Sequence, residues 1–349
     1  MSNTDADPVA RMHALFSDAR RTEFGLMESL RAKYKKTSRD IVLADAIDAL
    51  LATAVQREDL NAPPSFDNRA RGSGLAIVGP TGVGKSRALE RYFDKHPVLS
   101  DYRDPVSPSP LISVSAPSPC TSMTLARLIL RTSGYPIERD LPAHRLWEMV
   151  WERLANLRKF ILHIDELQHA VQYVPEKDRQ EIANILKHAM YGRRISLIVS
   201  GVDALQAFLD FDPQLLRRLT VLPFGPITPD TLGNVVRMVG DYAKAAGLEL
   251  DLNDDPIRPD FHLRLAHAAL NAFGYSIVVT QLAIEHALNE KATALTREHF
   301  ATVFARKTGF AADRNPFTAE QWQEIDCAAL FPKAEIPAPP APASRRKAK

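Results

Sequence analysis

The run Gly79-Pro80-Thr81-Gly82-Val83-Gly84-Lys85-Ser86 limits this chain more than any other stretch of it. It is a full match to G-x-x-x-x-G-K-[ST], set between a short apolar run at 75–78 and an amphipathic segment through Leu89, Tyr92 and Phe93. Such a loop works only with a strand before it and a helix behind it. Gly82 and Gly84 let the backbone bend so that successive N–H groups point inward, and the helix adds the partial positive charge of its N-terminus. Lys85 then reaches the β- and γ-oxygens of a polyphosphate, and the Ser86 hydroxyl meets a divalent cation. With Arg87 directly following, residues 79–87 are the expected nucleotide-contacting stretch.

The flanking pattern agrees with a parallel sheet crossed by helices. Short aliphatic or β-branched runs at 75–78, 111–115, 160–164, 196–199 and 220–222 alternate with helical spacing. Thr121 is placed to cap a helix through Leu125, Leu128 and Ile129 that stops at Gly134, and Leu146, Met149, Val150 and Leu154 mark a second. A third is expected over 176–190. Beyond the fifth strand only helices are expected, at 229–246, 261–272, 277–291 and 297–307. Upstream, 31–55 reads as one helix with an apolar face of Ile41, Val42, Ala46, Ile47, Leu50 and Leu51.

A second carboxylate-bearing motif closes the third strand: Phe160-Ile161-Leu162-His163-Ile164-Asp165-Glu166. Two adjacent carboxylates at the end of a buried strand are costly unless they serve a ligand, and beside the loop of Lys85 they have one. Asp165 is expected to hold Mg²⁺ through water, and Glu166 to orient and activate the attacking water. His163, within the strand, is read as a core or sheet-face residue without a catalytic role. Ser200, at the end of the fourth strand, is a donor that would sense the γ-phosphate or the water. Asp212-Pro213-Gln214-Leu215-Leu216-Arg217-Arg218-Leu219 precedes the fifth strand, and one of its two arginines is a candidate finger for a neighbouring subunit's nucleotide. Head-to-tail contacts of that kind build rings or open helices. Without an N-K-x-D guanine reader, ATP is expected over GTP, and the absence of L-S-G-G-Q disfavours a transporter cassette. Five strands, an Asp-Glu second motif, an arginine pair before the last strand and a helical lid make the expected fold α/β, a P-loop NTPase of AAA+ type.

Composition narrows the partners. The 349 residues carry 44 basic and 42 acidic side chains, a net charge of +2, so no global charge announces nucleic acid. Residues 332–349 hold five basic groups against Glu335, among five prolines and five alanines, so the rest of the chain is slightly acidic. That end reads as a flexible basic tail. Local basic groups stand at Lys33, Lys35, Lys36 and Arg39, at Arg127 and Arg131, and at Lys187, Arg193 and Arg194. Cys120 and Cys327 form no metal or disulfide pattern, and no window is apolar enough to span a bilayer, so a cytoplasmic protein without a membrane partner is expected. The expected division is a helical extension at 1–65, a nucleotide-binding core at 66–227, a helical lid at 228–317 and a C-terminal segment at 318–349.

The order of these motifs resembles the TniB/TnsC-type AAA+ ATPases of DNA transposition, to which the target-selection ATPase of phage Mu is related in function. The resemblance spans about residues 30 to 317. It rests on Gly79–Ser86, on Ile164-Asp165-Glu166-Leu167-Gln168-His169, on Gln214-Leu215-Leu216-Arg217-Arg218-Leu219 leading into Leu222-Pro223, and on the lid around Gly274, Ala283, Ala287 and Thr296. It implies ATP on Lys85, Ser86, Asp165 and Glu166, and a trans-acting arginine at Arg218 with Arg217 as the near alternative. It further implies homo-oligomers, ring or helical filament, on double-stranded DNA that mark a target, recruit or stimulate a transposase, engage target-selection proteins and dissolve on hydrolysis. One departure is Gly274-Tyr275-Ser276-Ile277-Val278-Val279, where many AAA+ lids carry an arginine. A replication initiator or helicase loader stays open as an alternative reading, although 308–349 are too short and proline-rich for the added DNA-reading module expected of it. The alternative of a secretion-associated ATPase would bring a membrane span or envelope-binding extension that the sequence pattern does not show.

Overall fold

The computed structural model describes residues 7–170, 172, 174–252 and 260–331. They fall into two compact units, one of residues up to 37 together with those from 226 onward, the other of residues 38–225. The helices ahead of the sheet are shared between them. α1 (Pro8–Ala14) and α2 (Asp18–Ala32) belong to the first unit, and α3 (Ser38–Ala54) to the second. The single helix expected over 31–55 is therefore broken between Ala32 and Ser38. The residues at the break, Lys33-Tyr34-Lys35-Lys36-Thr37, carry no apolar period, and the carbonyls at the end of α2 find partners outside the helix: Tyr242 donates its hydroxyl to the O of the C-cap Lys33 at 2.8 Å and Gln281 its amide to Leu30 O at 3.3 Å. The tail expected at 332–349 lies outside the described residues.

The second unit holds β1 (Gly74–Val78), β2 (Leu111–Ser115), β3 (Ile161–Asp165), β4 (Ser196–Gly201) and β5 (Leu219–Pro223), all parallel, in the order β2-β3-β4-β1-β5. α4 (Lys85–Lys95) follows β1, α5 (Ser122–Thr132) and α6 (Ala143–Asn156) follow β2, and α7 (Glu176–Gly192) follows β3. α8 (Asp203–Phe211) and the one-turn α9 (Pro213–Leu216) lead from β4 to β5. β4 runs two residues further than the sequence suggests, to Gly201, because it stays paired with β1 up to Val78.

Alternation along the strands divides their side chains between two faces. Ile112, Leu162, Ile164, Leu197 and Val199 meet Leu125, Ile129, Trp147, Trp151 and Leu186 of the helices in one core. Each such side chain contributes about 1.5–3 kcal/mol on burial. Thr121 and Thr124 form the capping box that starts α5. On the other face α3 and α4 pack together, and α3 also packs on β1.

In the first unit α10 (Leu232–Ala245) follows a 3₁₀ turn at Pro229–Thr231, and β6 (Glu249–Asp251) comes next. α11 (Phe261–Ala268), α12 (Phe273–Asn289), β7 (Ala294–Thr296) and α13 (Arg297–Thr308) complete it, around Phe261, Phe300, Phe304 and Phe317. β6 and β7 pair in parallel, which corrects the expectation of helices alone. Three-residue strands are too short to show a period of their own. α11 stops earlier than expected because Leu270 and Asn271 take left-handed backbone at φ 54° and 55°. Cys120 and Cys327 are both free and buried. Among the described residues no single helix is long and apolar enough to cross a membrane.

Candidate active site

The phosphate loop begins where β1 leaves the sheet. Gly79 N–H donates to Gly201 O at 3.1 Å, carrying the β1–β4 pairing one step past the strand. A Cβ at Gly79 would lie 2.0 Å from the carbonyl oxygen of Phe224, so no other residue fits. Gly84, at φ +100°, is the N-cap of α4 and brings no side-chain cap with it. The first N–H groups of α4 therefore meet no competing side-chain oxygen at the cap, which is the condition for an anion site at a helix start.

Lys85 is 5% exposed, and its Nζ donates to the carbonyls of Gly79 at 2.7 Å and Pro80 at 3.0 Å. Burial lowers the pKa of this ammonium, while Glu166, Asp165 and Asp203 pull the other way. Asp203 opens α8 just past β4, and the sequence reading attached no role to it. The balance describes a desolvated cation at the carboxyl edge of the sheet, near three carboxylates.

β3 ends on Asp165, whose Oδ1 accepts the backbone N–H of Glu166 at 3.0 Å and the hydroxyl of Ser200. Glu166 stands at φ +55°, a conformation that costs a non-glycine residue on the order of 1–3 kcal/mol and is kept only where its surroundings impose it. A single 3₁₀ turn, Leu167–Ala170, then brings Gln168 back over the strand end. Buried at 3% exposure, Gln168 donates Nε2 to Glu166 Oε2 and accepts the Val202 N–H on Oε1 at 3.3 Å. Glu166 is thus tied to the exit of β4 through one amide. Sequence spacing offers no signal for this tie, since Val202 comes from a different strand's end.

Ser200, expected as a donor toward the γ-phosphate or the attacking water, is fully buried and donates to Asp165. His163 lies 2.8 Å from Ser113 Oγ through Nδ1 and 3.4 Å from Ser200 Oγ through Nε2. Burial pushes its imidazolium down to about 4 against the opposing pull of Asp165, so the ring is neutral at neutral pH. The donor set also fits a magnesium ion: Ser86 and Asp165 offer hard oxygens only, and few of them, as an ion that keeps most of its own waters requires.

Residues 26–226 match the family model described as bacterial TniB protein. The chain belongs to the TniB family. Among curated proteins no sequence relative matches it. Among solved structures it is similar to the Orc1 protein of Aeropyrum pernix in complex with DNA, at 18% identity over 80% of this chain and 68% of that one, with a TM-score of 0.58. It is also similar to Cdc6p of Pyrobaculum aerophilum, at 15% identity over 79% and 69% of the two chains, with a TM-score of 0.54. The fold is that of the P-loop AAA+ ATPases.

In this TniB-family chain the arginine pair sits at the edge of the sheet opposite the phosphate loop. Arg218 O accepts the N–H of Gly74, the first residue of β1, whereas Gly79 follows the last. Five residues of strand, roughly 16 Å, separate the two edges. Asp212 caps α9 through the Leu215 N–H at 2.9 Å and pairs with Lys187 at 2.6 Å. Burial alone would raise its pKa, but the hydrogen bonds from Lys187, Leu215 and Gln180 hold it below the ordinary carboxylate value. That anchored turn delivers an exposed Arg217 and a half-buried Arg218, whose guanidinium lies 4.1 Å over the ring of Tyr191.

Several of the basic groups read along the sequence are already partnered. Lys187 holds Asp212, Arg127 donates to Ile137 O and Arg139 O, Arg194 pairs with Glu58, Arg193 with His188, and Lys35 with Asp241. Arg39 donates to Gly225 O at 2.8 Å.

Proposed function

We propose that this chain is an ATP-hydrolysing regulator of DNA transposition that assembles with further copies of itself on double-stranded DNA. In this reading the assembly marks a target, recruits or stimulates the transposase, and dissolves when ATP is hydrolysed. The observation that carries the proposal is the TniB match laid over an intact phosphate loop and an intact Asp165-Glu166 pair. The complex of the Aeropyrum pernix Orc1 protein, a fold relative, with DNA adds support for DNA as the partner.

The residues divide the work. Lys85 and the N–H groups at the start of α4 bind the β- and γ-phosphates, replacing the carbonyls that now hold the ammonium. Ser86 and Asp165 would hold magnesium, which when bound neutralises charge building on the phosphate oxygens. Glu166 orients a water on the γ-phosphorus and takes its proton as the new P–O bond forms and the bond to ADP breaks. Arg218 of a neighbouring copy stabilises the charge of that transition state, with Arg217 as the near alternative. Placement of the pair at the far edge of its own sheet suits a role in trans. Hydrolysis then depends on assembly, and ATP acts as a timer.

The test is co-sedimentation with duplex DNA. With ATP the chain should pellet with DNA as particles visible by electron microscopy, and with ADP it should remain in the supernatant. Equal retention in both nucleotides, or none in ATP, would refute the proposal. The trans arrangement has its own measurement: Arg218→Ala and Lys85→Ala chains should each be nearly inactive alone, and their mixture should regain hydrolysis because one supplies the loop and the other the arginine. A mixture no more active than its components would place the arginine in cis or outside the reaction.

A further inference from the structure

Four polar side chains share one face of the sheet across three neighbouring strands: Ser113 on β2, His163 and Asp165 on β3, and Ser200 on β4. The register accounts for it. Ser113 pairs with His163 and His163 with Ile198, so Asp165 and Ser200, two residues further along their strands, point the same way. His163 and Ser200 are buried, and Ser113 and Asp165 are half-buried. Phe93 of α4 is fully buried and sets its ring at 5.3 Å from His163, edge to face, and Ile77 of β1 is the register partner of Ser200. Polar groups in such a place must satisfy one another.

Counting donors and acceptors fixes the protons. As a metal-binding carboxylate Asp165 only accepts, so the one proton of Ser200 goes to its Oδ1. Ser200 Oγ must then accept from His163 Nε2, at 3.4 Å. Nδ1 of the same ring lies 2.8 Å from Ser113 Oγ and ties the ring to β2. The contacts run from Ser113 through His163 and Ser200 to Asp165. The backbone N–H of Glu166 supplies the second donor to the same Oδ1.

We propose that His163 and Ser200 are positioning residues of the metal-binding carboxylate: they hold Asp165 by Oδ1 and so aim Oδ2 at the water shell of the magnesium ion. Ser200 does not touch the γ-phosphate, since its only proton is committed elsewhere. This role deepens the ATPase reading and rests on it. Partners of this kind, one step behind a metal ligand, fix the orientation and basicity of the ligand they touch.

The test separates nucleotide from metal. Binding of a fluorescent ATP analogue is measured first in EDTA and then across a magnesium titration, for the unsubstituted chain, His163→Met, His163→Gln and Ser200→Ala. Metal-free binding should match the unsubstituted chain in all three variants. The magnesium concentration for the half-maximal change should rise about 10- to 100-fold in His163→Met and Ser200→Ala, the range for losing an outer partner of a metal ligand. His163→Gln keeps an N–H at the reach of Nε2 and should restore most of the difference, which a merely space-filling histidine would not require. Titrations of His163→Met and Ser200→Ala that coincide with the unsubstituted chain would overturn the role. So would a Ser200→Ala chain that loses metal-free binding by the same factor, because its hydroxyl would then contact the nucleotide itself. If His163→Met fails to melt cooperatively, Ser200→Ala and His163→Gln carry the comparison. Absence of magnesium-dependent binding in the unsubstituted chain would instead refute the ATPase reading, and the positioning role with it.

Discussion

Glu166→Gln is expected to slow ATP hydrolysis by about 10²- to 10⁴-fold, the contribution of a positioned general base, while ATP still binds. The substitution exchanges one carboxylate oxygen for an amide of the same shape. Asp165 keeps the backbone N–H of Glu166 and the hydroxyl of Ser200, and neither bond needs the substituted side chain. What is lost is proton affinity, since an amide cannot take the proton of an attacking water at neutral pH. If hydrolysis is the timer that dissolves the assembly, the variant should remain on DNA in ATP longer than the unsubstituted chain. Phosphate release and co-sedimentation measured on the same samples check both halves. Turnover within a few-fold of the unsubstituted chain would remove Glu166 from the reaction, and slow turnover without added DNA retention would end the timer.

Lys85→Ala should act earlier, at binding. Each hydrogen bond from a charged donor contributes about 1.5–3 kcal/mol, so loss of the ammonium should weaken ATP on the order of 100-fold. The fold should persist, because in the free protein Lys85 holds only two carbonyls of its own loop, Gly79 O and Pro80 O, and an alanine leaves those to water. Equilibrium nucleotide binding and a melting curve separate the two effects. ATP affinity close to that of the unsubstituted chain would mean that the helix start binds the phosphates without the lysine. In the expected case ATP-dependent assembly on DNA disappears along with binding, which distinguishes this variant from Glu166→Gln, where assembly outlasts its normal term.

The two substitutions sit on features of different legibility. The loop of Lys85 is readable in the chain because everything it does is local: the glycines, the lysine and the serine act on backbone within eight residues, between a strand and a helix that follow directly. Asp165 and Glu166 are readable for a similar reason, as charge at the end of an apolar strand. The tie from Gln168 to Glu166 is not, because Gln168 takes its second bond from Val202. His163 reads as a core residue in sequence and is one by burial, yet its two ring nitrogens meet hydroxyls on the strands at either side.

Along the chain alone, then, motif spacing determined the phosphate loop, the carboxylate pair, the five strands and the AAA+ order of parts. The tertiary structure decided which side chains become neighbours at the carboxyl edge, that Arg217 and Arg218 stand at the opposite edge, that 31–55 is two helices, and that two short strands pair within the helical unit. The physical reason is common to all of them. A motif whose parts act within one turn or one strand leaves a period or a spacing in the sequence, whereas a contact between strands depends on sheet order, and β3 comes to lie between β2 and β4 only once the sheet has closed.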